Sequence, residues 1–131
     1  MTSLWGDLPE IPVITTPAKI LAEQAAALQE KTKGILVAEV VPVAPKYVGN
    51  GVANELRISV PALNKYTIRI LLVEHSVLSY PCRAGDLFQG SGMKVMSNEV
   101  EFVAMLQESL SNPDLMALFA NLIAQVQAVG S

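Results

Sequence analysis

Residues 55–72 read ELRISVPALNKYTIRILL, and the fold turns on how that stretch alternates. Leu56, Ile58 and Val60 are interleaved with Glu55, Arg57 and Ser59, the period of two that a strand with one buried face requires. Residues 61–65, opening on Pro61, supply a turn, and Tyr66, Ile68, Ile70 and Leu72 then resume the alternation. Leu71 and Val73 are apolar too, so the second strand is expected at the centre of its sheet or covered on both faces. If Val60 stands opposite Tyr66, Ile58 faces Ile68 and Arg57 lies directly opposite Arg69. Like charges so placed are destabilising, and something negative is expected between them. Glu39 of the preceding strand would serve within the chain, bridging both guanidinium groups. Alternatively an anionic ligand or a partner's carboxylate would make Arg57 and Arg69 a binding site, because arginine forks match such groups bidentately.

Working outward, residues 35–43 form a β-rich run ended by Pro42 and Pro45, and Gly49-Asn50-Gly51 is turn chemistry. Before that run the pattern is helical. Thr16 and Pro17 make an N-cap and first-position pair, Gly34 a stop, and Leu21, Ala25, Leu28 and Thr32 a narrow buried stripe. Residues 1–15 read as an irregular arm, with Leu4 and Trp5 as anchors onto the body. Lacking a basic region before an apolar run, and holding Pro9 and Pro12, the arm is not expected to be a secretory signal.

Downstream, Pro81, Gly85, Gly90 and Gly92 break residues 79–96 into one or two short strands joined by loops. Asn98 with Glu101 has the form of a capping box, and Val103, Leu106 and Leu110 supply the buried stripe of the helix it opens. Asn112-Pro113-Asp114 restarts a further helix, because proline at a first helical position loses no intrahelical bond. Leu115, Leu118, Phe119, Leu122, Ile123 and Val126 line that helix. The order is a helix, three to five antiparallel strands in a meander, then two helices on one face of the sheet: a single α+β domain over residues 1–131.

Chemistry is sparse. His75 is the only histidine and Cys82 the only cysteine, too few nitrogen and sulfur ligands for a structural metal site. They could pair as nucleophile and base, although a lone cysteine beside Pro81 reads more readily as a small buried hydrophobe. Gly85 and Gly90 have phosphate-loop spacing, yet Gly90 is followed by Ser91 and Gly92 where a lysine is needed. No catalytic residue, metal or cofactor is expected.

The net charge of −3 comes without a basic cluster, which argues against nucleic acid as partner. The 17 residues from Leu115 to the end carry no charge, but that run contains Asn121, Gln125 and Gln127 and falls short of the roughly 20 apolar residues of a membrane span. A single cysteine suits a reducing compartment, so a cytoplasmic location is expected. After Lys94 the only charged side chains are Glu99, Glu101, Glu108 and Asp114, most of them in helix first turns where the dipole favours them.

Composition carries the strongest hint of function. Apolar residues make up 51% of the chain and charged ones 16%, against roughly 25% charged in an ordinary soluble domain, so folding alone is expected to leave apolar surface uncovered. On the last helix Ala117, Ala120, Asn121, Ala124 and Ala128 lie away from the large apolar stripe, and Ala18, Ala22, Ala26 and Gln29 do so on the first. A charge-free outer face is expected to be buried, against the N-terminal helix or a symmetry mate. The sequence therefore points to a non-enzymatic interaction module: a two-fold homo-oligomer, a subunit, or a chaperone-like binder. The alternative is a small-ligand binder or enzyme with a pocket between sheet and helices that uses Arg57, Arg69, His75 or Cys82.

Overall fold

The computed structural model describes residues 3–8 and 14–130; the prolines of the arm at 9 and 12 lie outside them. The chain forms α1 (Pro17–Lys31), β1 (Val37–Val43), β2 (Val52–Val60), β3 (Tyr66–His75), β4 (Cys82–Asp86), β5 (Lys94–Met96), α2 (Glu99–Leu110) and α3 (Pro113–Gly130). All neighbouring strands pair antiparallel in the order β1-β2-β3-β4-β5. This is the expected α+β meander, with β3 at its centre.

Local signals set the helix ends. Thr16 Oγ1 accepts from the Lys19 N–H, and Pro17 occupies the first turn of α1. At the other end Gly34 N–H donates to Gln29 O and Lys33 N–H to Glu30 O, so the last carbonyls are satisfied by a Schellman turn. Lys33 itself takes the left-handed conformation there (φ 52°), with Gly34 following at φ 80°. Asn98 Oδ1 caps α2 by accepting from Glu101 N–H, while Glu101 Oε2 reaches back to the N–H of Ser97. Asn112 Oδ1 accepts from the N–H groups of Asp114 and Leu115, and α2 and α3 are two helices joined at Ser111 and Asn112.

The β2–β3 hairpin has the expected register: Val60 pairs with Tyr66, Ile58 with Ile68, and Arg57 with Arg69. A bulge then intervenes, since Leu56 pairs with Leu71 and Ile70 is the extra residue. One inserted residue exchanges the faces of everything beyond it. Hence Leu71 and Val73 join the core, whereas Leu72, paired with Glu55, lies on the opposite face; simple alternation assigned these the other way round. Pro42 lies within β1 rather than ending it, which an edge strand permits.

The core lies between one sheet face and the helices. Leu21 and Ala25 of α1, Leu56, Ile58 and Val60 of β2, Leu71 and Val73 of β3, Phe102 and Leu106 of α2, and Leu115, Phe119 and Leu122 of α3 form one cluster. Each large side chain fully buried there contributes about 1.5–3 kcal/mol. On α2 Leu106 is buried as expected and Leu110 packs against the core, but the inward residue of the first turn is Phe102, edge-to-face with Tyr80, while Val103 is exposed.

The far face of the sheet is partly covered by the β1–β2 connection. Its backbone N–H groups at Lys46, Tyr47 and Val48 all point to Glu74 Oε1, at 2.8, 2.9 and 3.4 Å. Ile70 through His75 are consequently buried on both faces, as a central strand should be. Leu4 and Trp5 do not anchor the arm; they are 93% and 75% exposed.

Candidate functional site

Three places could carry function: the arginine pair, the β3–β4 end holding His75 and Cys82, and the junction of the helices. At the first, Arg57 and Arg69 stand opposite one another and an anion does lie between them, but it is Glu55, not Glu39. Glu55 sits two residues before Arg57 on the same face. Its Oε1 accepts from Arg57 Nε at 2.8 Å and Arg69 Nε at 2.9 Å, and its Oε2 accepts from Arg69 Nη2. The Arg69 hydrogen bond, helped by Arg57 and opposed by burial, holds the Glu55 carboxyl down to about 2. Glu39, level with Arg57 on β1, remains exposed. The reason is geometric: Glu55 reaches both guanidinium groups from a strand interior, whereas Glu39 has only one of them across from it. Both arginines are thereby engaged within the chain.

The second place brings His75 directly opposite Cys82 in the β3–β4 register. Proximity does not make a nucleophile. Burial pushes the Cys82 thiol up to about 11, away from the thiolate that reactivity needs. His75 Nδ1 meets the carbonyl of Ser76 at 2.5 Å, and its Nε2 is buried with no hydrogen-bond partner among the described residues. Tyr80 OH and Glu74 Oε2 are buried in the same way. Cys82 is thus the small buried hydrophobe its surroundings suggested, and Glu74 has a structural task, gathering the β1–β2 loop in a nest of N–H groups. Sequence reading passed over Glu55 and Glu74. Each had a signal: a carboxylate two residues from an arginine on one strand face, and a lone acid inside the apolar run ILLVEH.

At the third place the helices pack over the sheet but leave a crevice between them. An apolar crevice of about 230 Å³ has Ala38, Leu56 and Ile58 as floor, with walls that include Leu28 of α1 and Met116 and Phe119 of α3. Lys31 stands at its rim. A wider cleft of about 500 Å³ lies between α1 and α2, with Ile20, Glu23, Glu99 and Val103 in its walls. Gln24 and Leu110 line both, so the two make one groove along α1. None of Arg57, Arg69, His75 and Cys82 lines it.

The small-residue faces expected to be buried are open in the single chain. Ala117, Ala120, Asn121, Ala124 and Ala128 of α3 are all exposed, as are Ala22, Ala26 and Gln29 of α1. Packing of α3's face on the N-terminal helix is therefore corrected: α3 turns its large stripe to the core and its small face to the outside. Among the described residues no helix is long and apolar enough to cross a membrane, and no group of three or more His, Cys, Asp or Glu could hold a metal ion. No protein-family model, no curated protein and no solved structure matches this chain.

Proposed function

We propose that this chain is a non-enzymatic interaction module that works by association, foremost as a two-fold homo-oligomer. The observation that supports the reading is apolar surface left over after folding. Val100, Val103, Met116 and Val129 are exposed on α2 and α3, and the exposed small-residue face of α3 carries a single charged side chain, Asp114 in its first turn. Exposed apolar residues scattered singly need no explanation, but contiguous apolar patches on a soluble protein mark interaction sites. A two-fold arrangement would let one such face serve both copies.

Ligand binding in a pocket between sheet and helices draws support from the crevice floored by Ala38, Leu56 and Ile58. Its lining is apolar apart from Gln24 and Lys31, fewer polar groups than usually converge to orient a small molecule. The crevice suits an apolar segment of chain better than a metabolite. Static light scattering over a hundredfold dilution tests association: the reading expects a species of twice 14 kDa that dissociates on dilution, and a 14.0 kDa monomer throughout would overturn it. Native mass spectrometry of protein purified from its own host then distinguishes a homo-oligomer from a subunit or chaperone-like binder by what travels with it.

A further inference from the structure

We propose that the groove along α1 receives the N-terminal arm of a second copy of this chain, with Trp5 in the apolar compartment and Asp7 at Lys31; the inference rests on association as the chain's mode of action and names the contact that produces it. The arm and the groove are each incomplete alone. Leu4, Trp5, Leu8 and Ile14 are all large, apolar and exposed, more than a short polar leader would carry. The groove's apolar lining is only partly covered: above the buried Leu56 and Ile58, the residues Leu28, Ala38 and Leu110 are half-buried and Met116 is 40% exposed.

Their dimensions and charges agree. The groove follows α1 from Ile20 to Lys31, about 17 Å of helix. Leu4 to Leu8 in extended form covers about 13 Å. In such a strand Trp5 and Asp7 point the same way, so an indole seated between Leu28 and Phe119 brings the carboxylate toward Lys31 on the same rim. Neither Asp7 nor Lys31 has an ion-pair partner among the described residues. The opposite polarity would place Asp7 beside Glu23 and Glu99, which line the other compartment. Charge therefore orients the arm parallel to α1.

That orientation selects a second copy over the chain's own arm. A parallel arm leaves the groove at the Lys31 end, about 22 Å from Pro17 along the 15 residues of α1. To return to its own helix the chain would have to reverse direction, and in the single chain the arm is not folded onto its own groove: Leu4, Trp5 and Leu8 stay exposed. A neighbour's arm needs no reversal, and reciprocal exchange closes a two-fold dimer.

Trp5 is the only tryptophan of this chain, so its fluorescence reports on the arm alone. Emission should be blue-shifted where light scattering shows dimer and should move to the solvent-exposed value as dilution produces monomer. Trp5→Ser, in an exposed arm where the fold is not at risk, should weaken self-association by about tenfold or more. Asp7→Lys and Lys31→Glu should each weaken it, and the double variant should recover it. Solvent-like emission from the dimer, or a dimer indifferent to Trp5→Ser, overturns arm exchange while leaving association intact. Blue-shifted emission from the isolated monomer overturns the second copy in favour of the chain's own arm. A chain that stays monomeric at all concentrations overturns this inference together with the functional reading beneath it.

Discussion

Glu55 shows how one carboxylate resolves a conflict written into the strands. Arg57 and Arg69 are forced opposite one another by the hairpin register, and Glu55, only 3% exposed, takes hydrogen bonds from both. Its carboxyl is lowered from 4.5 to about 2, so the folded state releases this proton more readily than the unfolded chain. The resulting stabilisation is complete above about pH 4.5 and is lost as pH falls through 2. Because the two arginine side chains are 35% and 56% exposed, solvent screening reduces it to about 2 kcal/mol. Urea melts of wild type and Glu55→Gln should differ by that amount at pH 7 and converge only below about pH 2; a constant gap would disprove the linkage. Since Glu55 already pairs with both arginines, with Arg69 through Nε and Nη2 and with Arg57 through Nε, thermal melts in phosphate and in chloride should coincide. At Cys82 the raised thiol and complete burial predict no reaction with a thiol reagent at pH 8 until the chain is unfolded, followed by unit labelling in denaturant. Labelling of the native protein at the unfolding-independent rate of a free thiol would show that the β3–β4 end opens.

At the scale of elements, Glu74 ties the β1–β2 connection to the central strand through three backbone donors. Glu74→Ala removes the acceptor and strands those N–H groups over an apolar surface, a loss of about 2–3 kcal/mol. Hydrogen exchange should accelerate at Lys46, Tyr47 and Val48 before it does in β3; equal protection in the variant would mean that other contacts hold the loop. Such loop docking was not legible in the sequence, because it depends on a carboxylate meeting a segment 26 to 28 residues away. Patterns carried by neighbours in the chain were legible. The caps at Thr16, Asn98 and Asn112, the break at Pro113 and the β2–β3 register all followed from residues within a few positions of each other. Reading failed where one residue changed phase, at Ile70 in the bulge and at Val103 against Phe102, since a period describes a face only until an insertion or rotation shifts it. It also placed the bridging anion on Glu39, one strand away from the residue two positions distant that fills the role. The groove was anticipated only as surplus apolar composition, because its shape comes from how three helices fail to meet.

For the whole molecule, the outer face of α3 and the groove raise one question: whether the charge-poor helix surface is solvated or shared. Ala124 sits on that face, exposed and away from the core stripe. Its substitution by glutamate should leave the folded monomer's stability within about 0.5 kcal/mol, as for most surface changes. If two copies pack there, however, the same carboxylate is taken out of water with no cation opposite, because no Lys or Arg follows Lys94 in the chain. Under the two-fold reading Ala124→Glu should therefore weaken self-association by about tenfold, while Ala124→Ser should not. The contrast is visible in melting as well as mass. A dimer's melting temperature rises with protein concentration, since association stabilises the folded state by mass action, so the wild-type slope should flatten in Ala124→Glu and persist in Ala124→Ser. An unaltered slope in the glutamate variant would place the shared surface elsewhere. Trp5→Ser measured in the same series would then decide whether arm and groove alone hold the copies together.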